Sequence, residues 1–338
     1  MASHNHHEQE WAAAARRTFA ASDVYLNSGL AETEKKIQEL LGGDAPFITE
    51  LLEYAAGSGG KRLRPRLTML AAATAGVAPE ATADVAAAVE LIHLSTLLHD
   101  DVIDEAPLRR GRPSARRRFG NRISILGGDY LITRVFHHLV HNVRQWDVFE
   151  AVLGAANAMV AGEFFEIWWQ NRLDLREEDY YRIITLKSAR LMEASCRVGA
   201  LVAGDDGAEL AAVGDFGLNA GMSFQITDDG LDFSARAAEL GKETLADVRA
   251  GKVTLPLIYG LGSGRGAEVA AGVEAIWEGE PAEELLGQLL NDVGALDKAR
   301  DTARRYAEKS KDALRRVRPG VPRDLLAGLA DWTWQRPF

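Results

Sequence analysis

The chain is 338 residues long, more than a single domain usually needs, although large all-helical proteins reach this size around one core. Its net charge of −10 argues against general nucleic-acid binding, and 47% hydrophobic with 26% charged residues is the balance of a soluble globular protein. The one cysteine, Cys196, leaves no internal disulfide framework, reads as a small buried hydrophobe and fits a cytoplasmic location.

Residues 1–20 read as a His-rich, acidic tail running into a first helix, with no apolar signal core behind it. His4, His6 and His7 could hold a metal weakly, but an unstructured tail is the plainer expectation. From 21 to 338 the apolar residues recur at helical spacing almost throughout, and strand alternation is nearly absent. Runs such as Ala71-Ala72-Ala73 and Ala86-Ala87-Ala88 suit closely packed helices. Breaks are expected at 57–60, 107–113, 205–207, 241–252, 262–266 and 319–322. Between 297 and 314, Ala299, Ala303, Tyr306, Ala307, Ser310 and Leu314 share one stripe, with Lys and Arg around it. No Gly/Ser- or Pro-rich linker divides the chain. The longest apolar stretch, around Leu67 to Ala78, is too short to cross a bilayer, so no transmembrane segment is expected. The expectation is an all-α fold: a single domain over 21–338, built as one large bundle of about a dozen helices.

Two acidic clusters of identical spacing interrupt this apolar pattern: Asp100-Asp101-x-x-Asp104 and Asp228-Asp229-x-x-Asp232. Carboxylates in such surroundings are costly unless a cation compensates them. Positions i and i+4 share a helix face, so two facing stripes could hold divalent metal with room for a phosphate ligand. The neighbours suit that reading. A Gly-rich turn, Gly59-Gly60-Lys61-Arg62-Leu63-Arg64, lies upstream and can gather amides and cations onto an anion. His93 stands two turns before Asp100. Arg109 and Arg110 follow the first cluster, and Arg suits bidentate contact with phosphate. Gly241-Lys242 and Gly251-Lys252 follow the second, with Asp247 between them. Taken singly, an acidic cluster is a solvated helix face, the basic turn is surface, and His93 is a satisfied core histidine. Arg116-Arg117-Arg118 reads as a solvated face with some electrostatic steering. It is their order along the chain that carries meaning.

In that order, from about Gly59 to Pro256, the chain resembles the all-trans polyprenyl diphosphate synthases, the head-to-tail isoprenyl diphosphate synthase family; the likeness extends more loosely over 330–336. The resemblance implies helices around a central catalytic cavity (the isoprenoid synthase type), a homodimer, and Mg2+ with Mn2+ as a substitute. It implies two substrates, isopentenyl diphosphate and an allylic diphosphate, with no nucleic acid and at most loose membrane contact during release of an oily product. By motif, Asp100, Asp101 and Asp104 would hold magnesium on the allylic diphosphate, and Asp228, with Asp229 and Asp232 near it, a further ion from the opposite side. Arg109, Lys187, Ser188, Gln225, Lys242 and Lys252 would contact the allylic diphosphate. Lys61, Arg64, His93 and Arg110 would bind isopentenyl diphosphate. Ionisation of the allylic substrate, attack by the isopentenyl double bond and loss of a proton to the departing diphosphate need positioning and charge neutralisation, and no protein nucleophile.

Five positions depart from the family pattern. Ser188 replaces a common Thr, Glu166 a common Gln after Gly162-Glu163, Leu245 a Gly, and Ala250 an acid. Gly230 replaces an aliphatic residue at a cost of roughly 1 kcal/mol relative to Ala. They bear on loop geometry and pocket shape more than on chemistry. For product length, small Ser95 and Thr96 just before Asp100 leave the elongation tunnel open, which favours a long-chain product of the quinone side-chain type. The aromatic run Phe164-Phe165-Glu166-Ile167-Trp168-Trp169 competes with that reading. Phe165, Trp168 and Trp169 could plug the tunnel, or serve core packing or a dimer interface, and Phe136 is another candidate floor. A geranylgeranyl or farnesyl diphosphate synthase is the alternative. A class I terpene cyclase, or a non-catalytic subunit of a heteromeric prenyl synthase, is more distant.

Overall fold

Helix-forming, Ala-rich sequence gives helix almost everywhere in the computed structural model, which describes residues 2–57, 60–205, 207–233 and 245–336, with side chains from residue 17 onward. The first helix, α1, runs Ala2–Leu41, so the backbone expected as a tail continues the helix; the side chains of His4, His6 and His7 lie outside the described residues. Next come α2 (Pro46–Ala56), α3 (Leu63–Thr74) and α4 (Ala83–Ile103). The break after α4 holds a two-residue antiparallel hairpin, Leu108–Arg109 with Arg112–Pro113, too short for alternation to reveal it. It leads through α5 (Ala115–Phe119) to α6 (Asn121–His138) and α7 (Trp146–Trp169). Then follow α8 (Glu177–Ile184), α9 (Arg190–Val202) and α10 (Ala208–Leu231). The C-terminal part contains α11 (Ala246–Arg249), α12 (Leu255–Leu261), α13 (Gly266–Trp277), α14 (Glu283–Asp292), α15 (Ala295–Ala313) and α16 (Val321–Trp334).

The stripe expected over 297–314 forms, with Tyr306 half-buried on it. Ala299, Ala303, Ala307, Ser310 and Leu314 are buried, and α15 packs along α10, the helix that carries the second acidic cluster. The small face lets the two axes approach closely. Ala71, Ala72 and Ala86–Ala88 do the same for α3 and α4. Large apolar side chains from α4, α6, α7 and α9 fill one part of the core, so the first acidic cluster stands at the end of a buried helix. Cys196 is buried, as expected.

One expectation needs correcting. Two segments, Pro79–Ile103 and Trp146–Trp169, are long and apolar enough on average to cross a membrane, which a search for unbroken apolar runs overlooks. The first is a core segment, 56% of its apolar window buried, and it carries Asp100. The second is 28% buried and exposes Trp146, Leu153, Val160, Phe164 and Ile167, spaced by 7, 7, 4 and 3 residues along one side of α7.

Candidate active site

In the second half of α4, His93, Thr96 and Asp100 are partly buried and fall on one stripe at i, i+3 and i+7. Asp100 opens onto a cavity of about 210 Å³, shared with Asp104, Lys187, Gln225, Asp229 and Lys252. Burial pushes the Asp100 carboxyl up to about 7, partly offset by the nearby Lys187 ammonium. Asp104 caps the helix end and meets Lys252 Nζ at 3.1 Å. Asp101 turns to another side of α4, where it is buried and receives Arg109 Nε at 2.8 Å and a second guanidinium nitrogen at 2.5 Å. Arg109 is therefore held at the cavity wall by the first acidic cluster.

The facing wall is built around a π-helical turn, Thr185–Ala189, between α8 and α9. The extra residue of such a turn displaces the local backbone, a distortion common at functional sites. Two glycines make room for it. A Cβ at Gly162 would lie 2.5 Å from the Lys187 backbone nitrogen, and one at Gly221 would lie 2.6 Å from Ala189 Cα. The turn presents Lys187, whose Nζ lies 2.6 Å from Glu163 and 2.5 Å from Glu166, and Ser188, whose hydroxyl donates to Gln225 Oε1 at 2.6 Å. Gln225 Nε2 donates to Asp229 Oδ1 at 2.7 Å, and the buried Tyr180 hydroxyl donates to Asp229 Oδ2 at 2.6 Å. Burial, and the neighbouring Asp247 carboxylate, push the Asp229 carboxyl up.

The second acidic cluster does not act as one stripe. Asp228 and Asp229 are about 100° apart on the helix, so only Asp229 reaches this cavity wall. Asp228 pairs with Arg336 at 2.5 Å, and Arg336 also donates to the Phe224 carbonyl. The helix ends at Leu231, so Asp232 leaves the i, i+4 register and accepts the backbone N–H groups of Ala246 and Asp247 at 3.0 and 2.9 Å. Asp232 thus anchors the loop that delivers Asp247 and Lys252 to the cavity. That loop is pinned again where Gly251, at φ +77°, accepts the Asn171 N–H; a Cβ there would meet Asn171 Oδ1 at 2.3 Å. Lys242 lies outside the described residues.

Arg64 and Arg110 form a separate cationic group around the His93 imidazole, and Lys61, like Arg64, lies near Asp228. Lys61 Nζ stacks 4.6 Å over the Trp332 ring. Burial lowers the Arg64 pKa, with the Arg110 charge adding to it; burial and then Arg64, Arg110 and Arg109 hold His93 well below its ordinary value. Arg64 Nε and His93 Nδ1 are buried without a hydrogen-bond partner among the described residues. Cations that depress one another beside orphaned donors suit a bound anion. Arg62 belongs to structure instead, held between Glu34 and Glu90.

The carboxylates suit a hard divalent cation. Asp104, Glu163 and Glu166 each offer an oxygen, all within 4.8 Å of one another, and the burial that raises Asp100 is relieved by added positive charge.

Of the tunnel candidates, Ser95 is fully buried and donates to the Ile92 carbonyl, while Thr96 stays on the stripe of Asp100, one turn below it. Phe136 packs edge-on to Phe149 and does not line the cavity. Trp169 lines the cavity, and Phe165 lies beneath the Arg182 guanidinium at 4.0 Å. Trp168 is 69% exposed and does not line the cavity, although the Arg172 guanidinium lies against both its ring and that of Trp169. Sequence reasoning missed Tyr180, Asp247 and Arg336 as site residues. Asp247 had a signal, an acid between two lysines, and Arg336 a weak one in the looser likeness over 330–336; Tyr180 had none, since its partner is 49 residues away.

The polyprenyl synthetase family model matches residues 45–293. Octaprenyl diphosphate synthase of Escherichia coli is 36% identical over 310 residues, covering 91% of this chain and 95% of the relative. Two solved structures superpose with a TM-score of 0.88. One is a polyprenyl synthase from Caulobacter crescentus complexed with calcium and isoprenyl diphosphate (35% identity, 94% of this chain and 98% of that one). The other is a decaprenyl diphosphate synthase from Rhodobacter capsulatus (34% identity, 94% and 99%).

Proposed function

The chain belongs to the polyprenyl synthetase family, the all-trans polyprenyl diphosphate synthases, and from that premise we propose that it extends an allylic diphosphate with isopentenyl diphosphate to a long-chain product of the quinone side-chain type. The observation that carries this reading is the pairing of a carboxylate-and-lysine cavity with a neighbouring cationic group that has orphaned donors, one place for each diphosphate. Magnesium, or manganese in its stead, would be held by Asp100 and Asp104 on α4 and by Asp229 on α10, with Asp228 joining on release from Arg336, and would supply Lewis-acid neutralisation of the leaving diphosphate.

The chain's own residues do the rest. Lys187, Lys252, Arg109 and, in this reading, Lys242 bind the allylic diphosphate; Ser188 and Gln225 orient it. Lys61, Arg64, His93 and Arg110 hold isopentenyl diphosphate. As the allylic carbon–oxygen bond breaks, Lys187, Lys252 and Arg109 meet the negative charge where it grows on the leaving diphosphate, which is the dominant catalytic term in such a site. The isopentenyl double bond then attacks the allylic carbon, and the proton passes to the departing diphosphate. Apolar side chains of the cavity wall, Trp169, Leu175, Ile183, Ile184 and Val253, keep water from the cation.

Thr96 supports a long product, because a small side chain stands one turn below Asp100 on the same stripe. The octaprenyl and decaprenyl synthases among the relatives point the same way. Trp169 on the cavity wall favours the shorter alternative, a geranylgeranyl- or farnesyl-length product. Purified protein incubated with Mg2+, farnesyl diphosphate and isopentenyl diphosphate should give, on reversed-phase chromatography, products many units beyond farnesyl. Arrest after the first or second addition would overturn the long-chain reading. Turnover of the allylic substrate without isopentenyl diphosphate would point to a cyclase, and inactivity alone to a non-catalytic subunit.

The same reading includes a homodimer through α7. Its exposed apolar stripe, Trp146 to Ile167, runs along about six turns, as one side of a helix interface requires. Leu153→Glu is expected to halve the mass measured by light scattering, with helicity unchanged by circular dichroism. A cytoplasmic location, loose membrane contact at product release and no nucleic-acid partner complete it.

A further inference from the structure

Glu166 lies near the C-terminal end of α7, where its one oxygen, Oε2, stands 2.5 Å from Lys187 Nζ and 3.1 Å from Lys252 Nζ. The two ammonium groups come from separate elements, the π-turn after α8 and the loop before α12. Neither depends on Glu166 for a counter-ion: Lys187 has Glu163 at 2.6 Å and Lys252 has Asp104 at 3.1 Å. Three carboxylates therefore surround two ammonium groups, and the third occupies the bridging position between them. That is the position an oxygen of a bound anion takes between two lysines.

We propose that Glu166 is a resident competitor for the diphosphate and a specificity-determining residue of this pocket: it makes diphosphate binding conditional on a divalent cation. The inference rests on the reading that the pocket takes the allylic diphosphate. An incoming diphosphate must take Lys187 and Lys252 from Glu166. The displaced carboxylate stays in the same partly buried pocket, next to the new anion, where repulsion is screened far less than in water. Only an added cation, drawn by Asp104, Glu163 and Glu166 together, relieves it. A glutamine of the same shape would hydrogen-bond without repelling.

The test is isothermal titration with inorganic diphosphate, with and without Mg2+, on full-length wild type, Glu166→Gln and Glu166→Asp. Without metal, Glu166→Gln should bind at least about ten-fold more tightly than wild type. The gap should narrow at saturating Mg2+, and Glu166→Asp, which keeps the charge, should follow wild type. Equal or weaker metal-free binding in Glu166→Gln overturns the proposal. So does failure of Glu166→Gln and Glu166→Ala to fold while Glu166→Asp folds, because Glu166 would then be a required structural counter-ion. If wild type binds no diphosphate even with Mg2+, it is the proposed function that falls.

Discussion

Asp100→Asn is expected to lower kcat/KM by on the order of 10³-fold, about 4 kcal/mol of transition-state stabilisation, while the metal-free protein stays as stable as wild type or becomes more so. The activity loss follows from the position of Asp100, on the α4 stripe that opens onto the cavity shared with Lys187 and Lys252. A neutral amide there cannot hold the cation that offsets the leaving diphosphate. The stability half follows from burial. The Asp100 carboxyl rises to about 7 from an ordinary 3.8, so between roughly pH 4 and 7 the folded chain carries a proton that the unfolded chain has released. Stability therefore falls as pH rises through that window, and the loss is complete above the folded pKa. Asn has no proton to lose, so the variant should lack this contribution to the slope. Metal-free thermal melts of wild type and variant at pH 5 and pH 8 measure it: the variant's advantage should be larger at pH 8. A variant that melts lower at both pH values would mean that Asp100 is a structural residue and the activity loss is damage to the fold.

Thr96→Phe is expected to stop chain growth after about one or two additions to farnesyl diphosphate, with consumption of the allylic starter retained. Thr96 stands one helical turn, about 5.4 Å, below Asp100 on the same stripe, and its hydroxyl is spent on the His93 carbonyl, so a methyl faces outward from the helix. A benzyl group there would fill the depth needed by the next isoprene unit. The added volume also costs stability, about 1–3 kcal/mol if the core cannot yield. Product chromatography with radiolabelled isopentenyl diphosphate reads the length, and a thermal melt reads the cost. An unchanged product distribution in a folded variant would take Thr96 off the tunnel wall. Ser95→Phe is a different case: Ser95 is fully buried, so the substitution should damage folding before it changes the product.

Much was written locally. Helical spacing, the Ala runs and the breaks at Gly and Pro specify helices, because these effects act within a turn or two of chain. The stripe from Ala299 to Ser310 became the inward face of α15, with Tyr306 half-buried on it and Leu314 buried just past the helix end. The first acidic cluster was likewise legible, since Asp100 and Asp104 lie at the end of one helix and i, i+4 geometry carries them to one side. The second was legible in composition but not in use: where α10 stopped, and what packed on each of its faces, decided that Asp229 meets Tyr180, Asp228 meets Arg336 and Asp232 anchors the Lys252 loop. The same holds for the aromatic run of α7, whose members read alike along the chain. Neighbouring helices cover Phe165 and Trp169 and leave Trp168 outside. Residue types and short spacings thus determined the family, the helices and the chemistry that this protein carries. Which carboxylate bridges two lysines, and which aromatic touches the cavity, was decided only by packing between segments tens of residues apart, because burial and charge pairing depend on distances in space that local spacing does not encode.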